Sequence, residues 1–365
     1  MDKQKSVDGV FLGLVIALIS VGFLIFISAS LGILAQDASK FGKGLISQIV
    51  LGLCGGGVAM FIASRIRQQF IKKHAFWILL GAIILSLLVF VPGLGMEHGG
   101  AKRWIDLGIV SFQPGEILKL SIVIYLAAWL TLFKRKIQSP LFGIYPLLVV
   151  LGIACAVFIA QRDTGSFLIT VFAGVAMYFA AGARWRDMLI IFIIGVIGLA
   201  ALAMWRPYVL DRFTTLWHHD DFQGSGYQLK QSLIAIGAGG IAGKGLGQSV
   251  QKFNYLPEAD GDSIFAVAGE EFGFIGTTFL ILLYVLFALR GLWISAHAAD
   301  VFSGLIAVGI VVLITSQSFV NIASMLALAP LTGVPLVFIS HGGTALLIAM
   351  TEVGVLLNIS RHRNA

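Results

Sequence analysis

The sequence predicts an all-α polytopic membrane protein with ten transmembrane helices and a long extracytoplasmic loop between helices 7 and 8. Three observations predict it. Of 365 residues, 58% are hydrophobic and only 12% charged, and the mean hydropathy is +0.95, outside the range of soluble domains. The apolar residues fall into ten runs of membrane-crossing length. Lys and Arg, which give a net charge of +7, cluster in short connections between those runs, where they set topology. Nucleic-acid binding, the usual implication of such a charge, is therefore excluded.

The runs cover 9–34, 44–63, 75–91, 116–133, 141–160, 167–182, 188–205, 263–289, 301–328 and 344–359. The first follows Lys3 and Lys5 as a signal peptide would, but it is too long and reads as a retained helix that doubles as signal anchor. Cys54 and Cys155 lie within apolar runs, so they form neither a disulfide framework nor a zinc site. Alternate connections are basic: SRIRQQFIKKH at 64–74, KRKIQSP at 134–140, ARWRD at 183–187, then Arg290 and the tail RHRNA. All lie on the side of the N-terminus, so the positive-inside rule makes both termini cytoplasmic. The opposite side carries two long loops, 92–115 and 206–262, where chemistry is expected.

The first loop leads into the fourth span at Glu116, with Lys119 three residues on and on the same helix face. The two form a self-neutralising pair or line an outward cavity. Arg103, beside Trp104, is placed to meet a phosphate or to anchor the loop at the interface. QRDTGS at 161–166 is a tight turn, or else Asp163 faces the same cavity. In the second loop Leu229, Leu233, Ile234 and Ile236 recur at helical spacing, which predicts an amphipathic helix on the membrane surface. Six glycines between Gly237 and Gly247 resemble a phosphate-binding loop, but Ala238 and Gly245 stand where that motif needs Gly and Ser or Thr. Close backbone packing is the better reading.

His218, His219, Asp220 and Asp221 are poorly spaced as metal ligands. Glu258, Asp260 and Asp262 form a better oxygen set for a magnesium-like or manganese-like divalent cation, although the glycine and distal glutamate of a calcium loop are absent. Between the last two spans, APLTGVPLVFISHGGT is dense in breakers and predicts an irregular or re-entrant outer segment. Glu352 lies within the last span and needs a partner. No internal repeat is visible, which disfavours the common transporter builds.

The richest stretch is LPEADGDSIFAVAGEEFGFIG, 256–276, where an acidic loop turns into an apolar helix. Asp262 before Ser263 suits a plain helix cap. Its company argues for more, because Glu258 and Asp260 precede it and Glu270 and Glu271 follow inside an apolar span, where carboxylates mark function.

These segments resemble the SEDS family (shape, elongation, division and sporulation) over nearly the whole chain. The likeness is carried by SAS at 28–30, AKRWIDLG and FQPGEILKL, QRDTGS, the long run GYQLKQSLIAIGAGGIAGKGLGQSVQKFNYLPEADGDSIFAVAGEEFGFIG, and VNI at 320–322 followed by LTGVPLVFISHGG, which contributes Ser340 and His341. QKFNYLPEA and GEEFGFIG lean toward the FtsW-like side. The resemblance implies a single integral domain over 1–365 in the bacterial inner membrane. It implies polymerisation of lipid II into β-1,4 glycan strands at the outer face, with release of polyprenyl diphosphate. Implied partners are a class B penicillin-binding protein that cross-links the strands and other divisome or elongasome membrane proteins. Asp262 is then the base, and Arg103, Lys119, Arg212, Lys244 or a divalent cation stabilises the diphosphate. Asp260, Gly261, Gly115, Arg162, Thr164 and His341 depart from the family pattern. The departures keep a catalytically silent scaffold open as one rival. The other is a flippase using Glu116, Lys119, Glu270 and Glu271 as a polar path.

Overall fold

A computed structural model describes residues 6–98, 100–106, 108, 111–205, 212, 215 and 224–362. All ten apolar runs are helical. They are α1 (Gly9–Gln36), a composite of α2 (Ala38–Ile46), a wide π-helical stretch (Ser47–Gly55) and α3 (Gly56–Ala63), α4 (Gln68–Leu87), α5 (Pro114–Leu132), α6 (Ile144–Ala160), α7 (Thr164–Ala180) and α8 (Trp185–Trp205). After α9 (Ser225–Gly239) come α10 (Ile264–Ala296), α11 (Val301–Met325) and α12 (Gly343–Arg361). Eight of the runs are long and apolar enough to cross a membrane. The other two, α6 and α7, have 17 residues each, near the lower limit for a span.

Several helix starts follow from capping chemistry. Asp8, Asp37, Asp163 and Asp300 each accept a backbone N–H in the first turn of α1, α2, α7 and α11, satisfying donors that have no partner in the helix. Pro114, which has no N–H to lose, opens α5. Three boundaries differ from the hydropathy reading by six residues or more. The second span starts at Ala38, not at residue 44, because Asp37 caps it. The basic stretch before the third span is mostly helix, with Lys72 and Lys73 in the first turns of α4, a position that long basic side chains tolerate at a membrane edge. Arg290, expected in a connection, lies inside α10 and pairs with Asp8 at 2.6 Å.

The core sits on α11 and α12. The apolar stretch of α12 is 83% buried and that of α8 only 11%, so α12 is an interior helix and α8 a peripheral one. Helix α11 packs on α10, α7, α5 and α12, while α1 packs on α10 and α3 on α12. Ser360 Oγ near the end of α12 accepts from Asp8 N at 3.1 Å, which fixes both chain ends to one end of the bundle.

The first of the two loops expected on the outer side contains what hydropathy hid, a three-stranded antiparallel sheet of β1 (Gly95–His98), β2 (Ala101–Asp106) and β3 (Ser111–Phe112). Strand β2 alternates, with Ala101, Arg103 and Ile105 turned inward. Arg103 is therefore buried, not an interfacial anchor.

The amphipathic helix forms as α9, but its apolar face, including Leu229 and Ala235, packs on α10. The glycines that follow do pack backbone to backbone. Helix α10 breaks at Gly273 (φ 64°, ψ −163°). The exposed carbonyls of Glu270 and Glu271 accept from Lys244 N and Gly245 N at 3.0 and 2.9 Å. The freed amides of Phe274 and Ile275 donate to Gly240 O and Ile241 O at 2.9 and 3.1 Å. Four backbone groups at the break are thus paired with the glycine turn.

Between α11 and α12 the segment expected on the outer side, 326–342, is irregular, with Leu331, Val334, Leu336 and Ile339 buried. Side chains of α11 hold its backbone: Gln317 donates to Pro335 O at 3.1 Å and Asn321 to Val334 O at 2.9 Å.

Candidate active site

Asp262 ends the acidic loop one residue before the cap of α10. That cap is Ser263, which makes no side-chain capping bond, so the plain capping role for Asp262 is not realised. Instead Asn321 Nδ2 donates to Asp262 O at 2.8 Å and fixes its backbone. The carboxyl faces Gly333, which has φ 67° and no side chain to fill the space. A Cβ there would stand 3.5 Å from Asp262 Oδ2 and 3.9 Å from both Arg103 Nη1 and Arg212 Nη2. One carboxylate and two guanidiniums therefore surround a glycine.

Each guanidinium is held. Arg103 donates from Nε to Gln161 O at 3.4 Å and from Nη2 to Arg162 O, and its Nη1 lies 3.9 Å from Asp163 Oδ1. Arg162 turns its carbonyl this way by taking a left-handed conformation (φ 56°). Arg212 Nη1 donates to Thr332 O at 3.1 Å. Asp163 accepts from Ser166 N and Oγ at 3.1 and 2.8 Å and so serves both as the cap of α7 and as a partner of Arg103. QRDTGS is thus a site element as well as a turn.

Although Asp262 is half-buried as a residue, enclosure of its carboxyl is the largest cause of a pKa raised to about 6. The nearby Glu258 carboxylate adds to the rise, and so does Asp163, while Arg103 and Arg212 oppose it. A base poised near neutrality is suited to proton transfer. The acidic neighbours that raise the pKa of Asp262 are Glu258 and Asp163, and Asp260 is not among them.

Asp260 turns away. Its Oδ2 lies 3.7 Å from His341 Nδ1, and its carbonyl accepts from His341 N at 2.7 Å. Burial raises its pKa, against the pull of His341. The expected set of Glu258, Asp260 and Asp262 is consequently not assembled, and among the described residues no three His, Cys, Asp or Glu side chains gather as a metal site. Two guanidiniums beside Asp262 are also poor company for a cation. His218, His219, Asp220 and Asp221 lie outside the described residues. Ser340 supports the loop from below: its Oγ donates to Gly261 O at 2.7 Å and accepts from Leu336 N at 2.8 Å.

The remaining candidates lie elsewhere. Lys244 bonds Glu270 at 2.6 Å, and Ser249 Oγ, Val250 N and Gln251 N also donate to Glu270. Glu271 is paired with the fully buried Lys252 at 2.7 Å and accepts from Ser28 Oγ at 2.7 Å. These four charges clamp the glycine turn onto α10. Glu116 and Lys119 pair at 2.8 Å in a separate cluster with Gln317. No hydrogen bond or ion pair among the described residues joins the two clusters.

Sequence reasoning missed Lys252, Gln317, Asn321, Thr332 and Gly333. The signal for Gln317 and Asn321 was present: two amides one helical turn apart in an apolar run.

The comparisons agree in one direction. The family model described as "Cell cycle protein", for FtsW, RodA and SpoVE, matches residues 9–365. The chain is 35% identical over 365 residues to "Stage V sporulation protein E" of Bacillus subtilis, covering 99% of this chain and 98% of that one. It is 36% identical over 372 residues to the "Probable peptidoglycan glycosyltransferase FtsW" of a Geobacter species, covering 100% of both. A chain from a structure described as "Structural coordination of polymerization and crosslinking by a peptidoglycan synthase complex" superposes with a TM-score of 0.78 at 23% identity, covering 98% of each chain. At that identity the likeness concerns the fold.

Proposed function

The chain belongs to the FtsW/RodA/SpoVE family, and from that premise we propose that it is an inverting peptidoglycan glycosyltransferase that polymerises lipid II, with Asp262 as its general base. The observation that carries this reading is the half-buried carboxylate flanked by two fixed guanidiniums at one end of a membrane bundle. The basic residues Arg65, Arg135, Arg184 and Arg361 belong to the end that holds both chain ends, which the positive-inside rule makes cytoplasmic. Asp262 then opens outside, where lipid II presents its sugars.

In the reaction, Asp262 accepts the proton of the 4-hydroxyl of the acceptor GlcNAc while that oxygen attacks the anomeric carbon of the lipid-linked MurNAc. The bond from that carbon to the diphosphate oxygen breaks and polyprenyl diphosphate leaves. Arg103 and Arg212 face the charge that develops on it, the kind of preorganised stabilisation that dominates such catalysis. Lys119 and Lys244, both engaged in ion pairs away from Asp262, have no such part. A single displacement turns an α-linked donor into a β-1,4 bond and needs only one base. No step is routed through a divalent cation, because its ligand set does not gather. The partner that uses the product is a class B penicillin-binding protein, a reading supported by the fold shared with a member of a peptidoglycan synthase complex.

Purified protein and lipid II, with product read on a gel, test the proposal. Asp262→Ala and Asp262→Asn lower the rate by about 10²–10⁴-fold, the range expected on losing a general base, and chelator has no effect. Full polymerisation by folded Asp262→Ala removes the base assignment, and loss of activity with chelator restores the metal.

A further inference from the structure

Beneath the outer segment, between α5, α11 and α12, lies a cavity that leaves about 20 Å³ for the centres of water molecules, room for one or two waters. Its polar lining is Glu116 and Lys119 from α5, Gln317 from α11, Glu352 from α12 and Ser340 from the outer segment. Glu116 and Lys119 cancel each other at 2.8 Å. Lys119 Nζ also donates to Gln317 Oε1 at 2.5 Å.

Glu352 is left over. It is 5% exposed, faces the cavity, and has no hydrogen-bond or ion-pair partner among the described residues. The other elements packed on α12, which are α1, α3, the π-helical stretch and α10, bring no charged side chain to the cavity. Two carboxylates and one ammonium therefore line one small cavity, and an ionised Glu352 would stand there without a counter-charge of its own.

We propose that this cavity is a binding site for one proton, carried on the Glu352 carboxyl, and that the neutral acid keeps Lys119 on Gln317 and thereby the outer segment in place. The connection is continuous. Gln317 takes the lysine on Oε1 and donates from Nε2 to Pro335 O at 3.1 Å. Pro335 lies two residues from Gly333, the residue that Asp262, Arg103 and Arg212 surround. Ser340, at the other end of the segment, lines the cavity and holds Gly261 O at 2.7 Å. When pH rises and Glu352 gives up its proton to water, its carboxylate competes with Glu116 and Gln317 for Lys119. The segment above then loses its tether. Glu352 is thus a positioning residue, and its effect is an alkaline limb in the activity profile.

Two measurements test this. The first is the pH profile of lipid II polymerisation by wild type and Glu352→Gln, each scaled to its own maximum. Wild type falls on the alkaline side by about tenfold per pH unit, as for loss of one proton, and Glu352→Gln does not. The second uses no activity, so its failure is distinct from failure of the glycosyltransferase reading. Difference infrared spectra of wild type against Glu352→Gln at neutral pH contain the carbonyl stretch of one protonated carboxylic acid, which shifts in D₂O and disappears as pH rises. If Glu352→Gln does not fold, Glu352→Leu, which replaces the acid with an apolar side chain, supplies the reference spectrum. Absence of the band overturns the proposal. So does an identical alkaline limb in both proteins, or a limb that follows sodium or potassium concentration instead of pH.

Discussion

The four charged groups around Asp262 act on it in opposite senses, and this gives separable predictions for single substitutions. A general base works only when ionised, so activity falls as pH drops through about 6. Arg103 and Arg212 favour the ionised form. Arg212→Ala or Arg103→Ala therefore moves the acid limb to higher pH, besides lowering the rate. Glu258 disfavours the ionised form, and Glu258→Gln moves the limb to lower pH. The pH profile of initial rates checks all three, and a limb that stays fixed across them would sink the electrostatic account of the base. At this scale the sequence was informative where the chemistry was local. Asp262, Asp163, Arg103 and Arg212 were each identifiable as charges bordering outer loops. Which carboxylate acts on Asp262 was not legible, because alternation along a loop does not fix direction: Asp260 is drawn off by His341 and Glu258 takes its place.

At the level of elements, the break in α10 is what seats the glycine turn that precedes the acidic loop. The glycine turn enters the break because no side chain obstructs it. A Cβ on Gly239 would lie 2.0 Å from Gly269 O, and one on Gly243, where φ is +82°, 2.2 Å from Glu271 O. Gly243→Ala is expected to cost about 1–3 kcal/mol or more through backbone strain, read as a lower Tm in detergent. The Lys252–Glu271 pair, with both side chains buried, is a sharper test. Lys252→Met leaves a buried carboxylate unpaired, at about 3–5 kcal/mol. Lys252→Met with Glu271→Leu removes both charges and recovers most of that loss. Equal destabilisation by the single and double variants would mean that the pair contributes by shape alone. Composition had pointed to close packing of the glycines, and the failed phosphate-loop motif was reason enough to look for it. Their partner stayed hidden, because a helix broken at Gly273 and repaired from outside leaves the hydropathy of 264–289 unchanged. The small sheet was hidden for a related reason: β2 alternates as AKRWID, and its inward Arg103 is a charge, which hides the period.

Across the whole molecule, hydropathy and charge located ten apolar helices, eight of them long enough to cross a membrane, and both long loops, since each follows from the membrane as solvent. Sidedness depends on a further step, the positive-inside rule, and it can be tested with two positions. Asp8 and Ser360 tie the chain ends together, so the orientation of one connection fixes every other. Cys54 and Cys155, both within spans, are first replaced by Ala to give a silent background. Asn254 in the acidic outer loop and Arg135 in a basic connection are both exposed and stand apart from Asp262 and its partners. On intact spheroplasts a membrane-impermeant maleimide labels Asn254→Cys, and it labels Arg135→Cys only after the membrane is opened. The reverse pattern would place Asp262 on the side where lipid II has not yet been delivered, and the base would then lack its substrate whatever its pKa. Labelling of both positions without permeabilisation would break the topology itself, since α6, α7 and α8, the three spans between them, would have to make an even number of crossings.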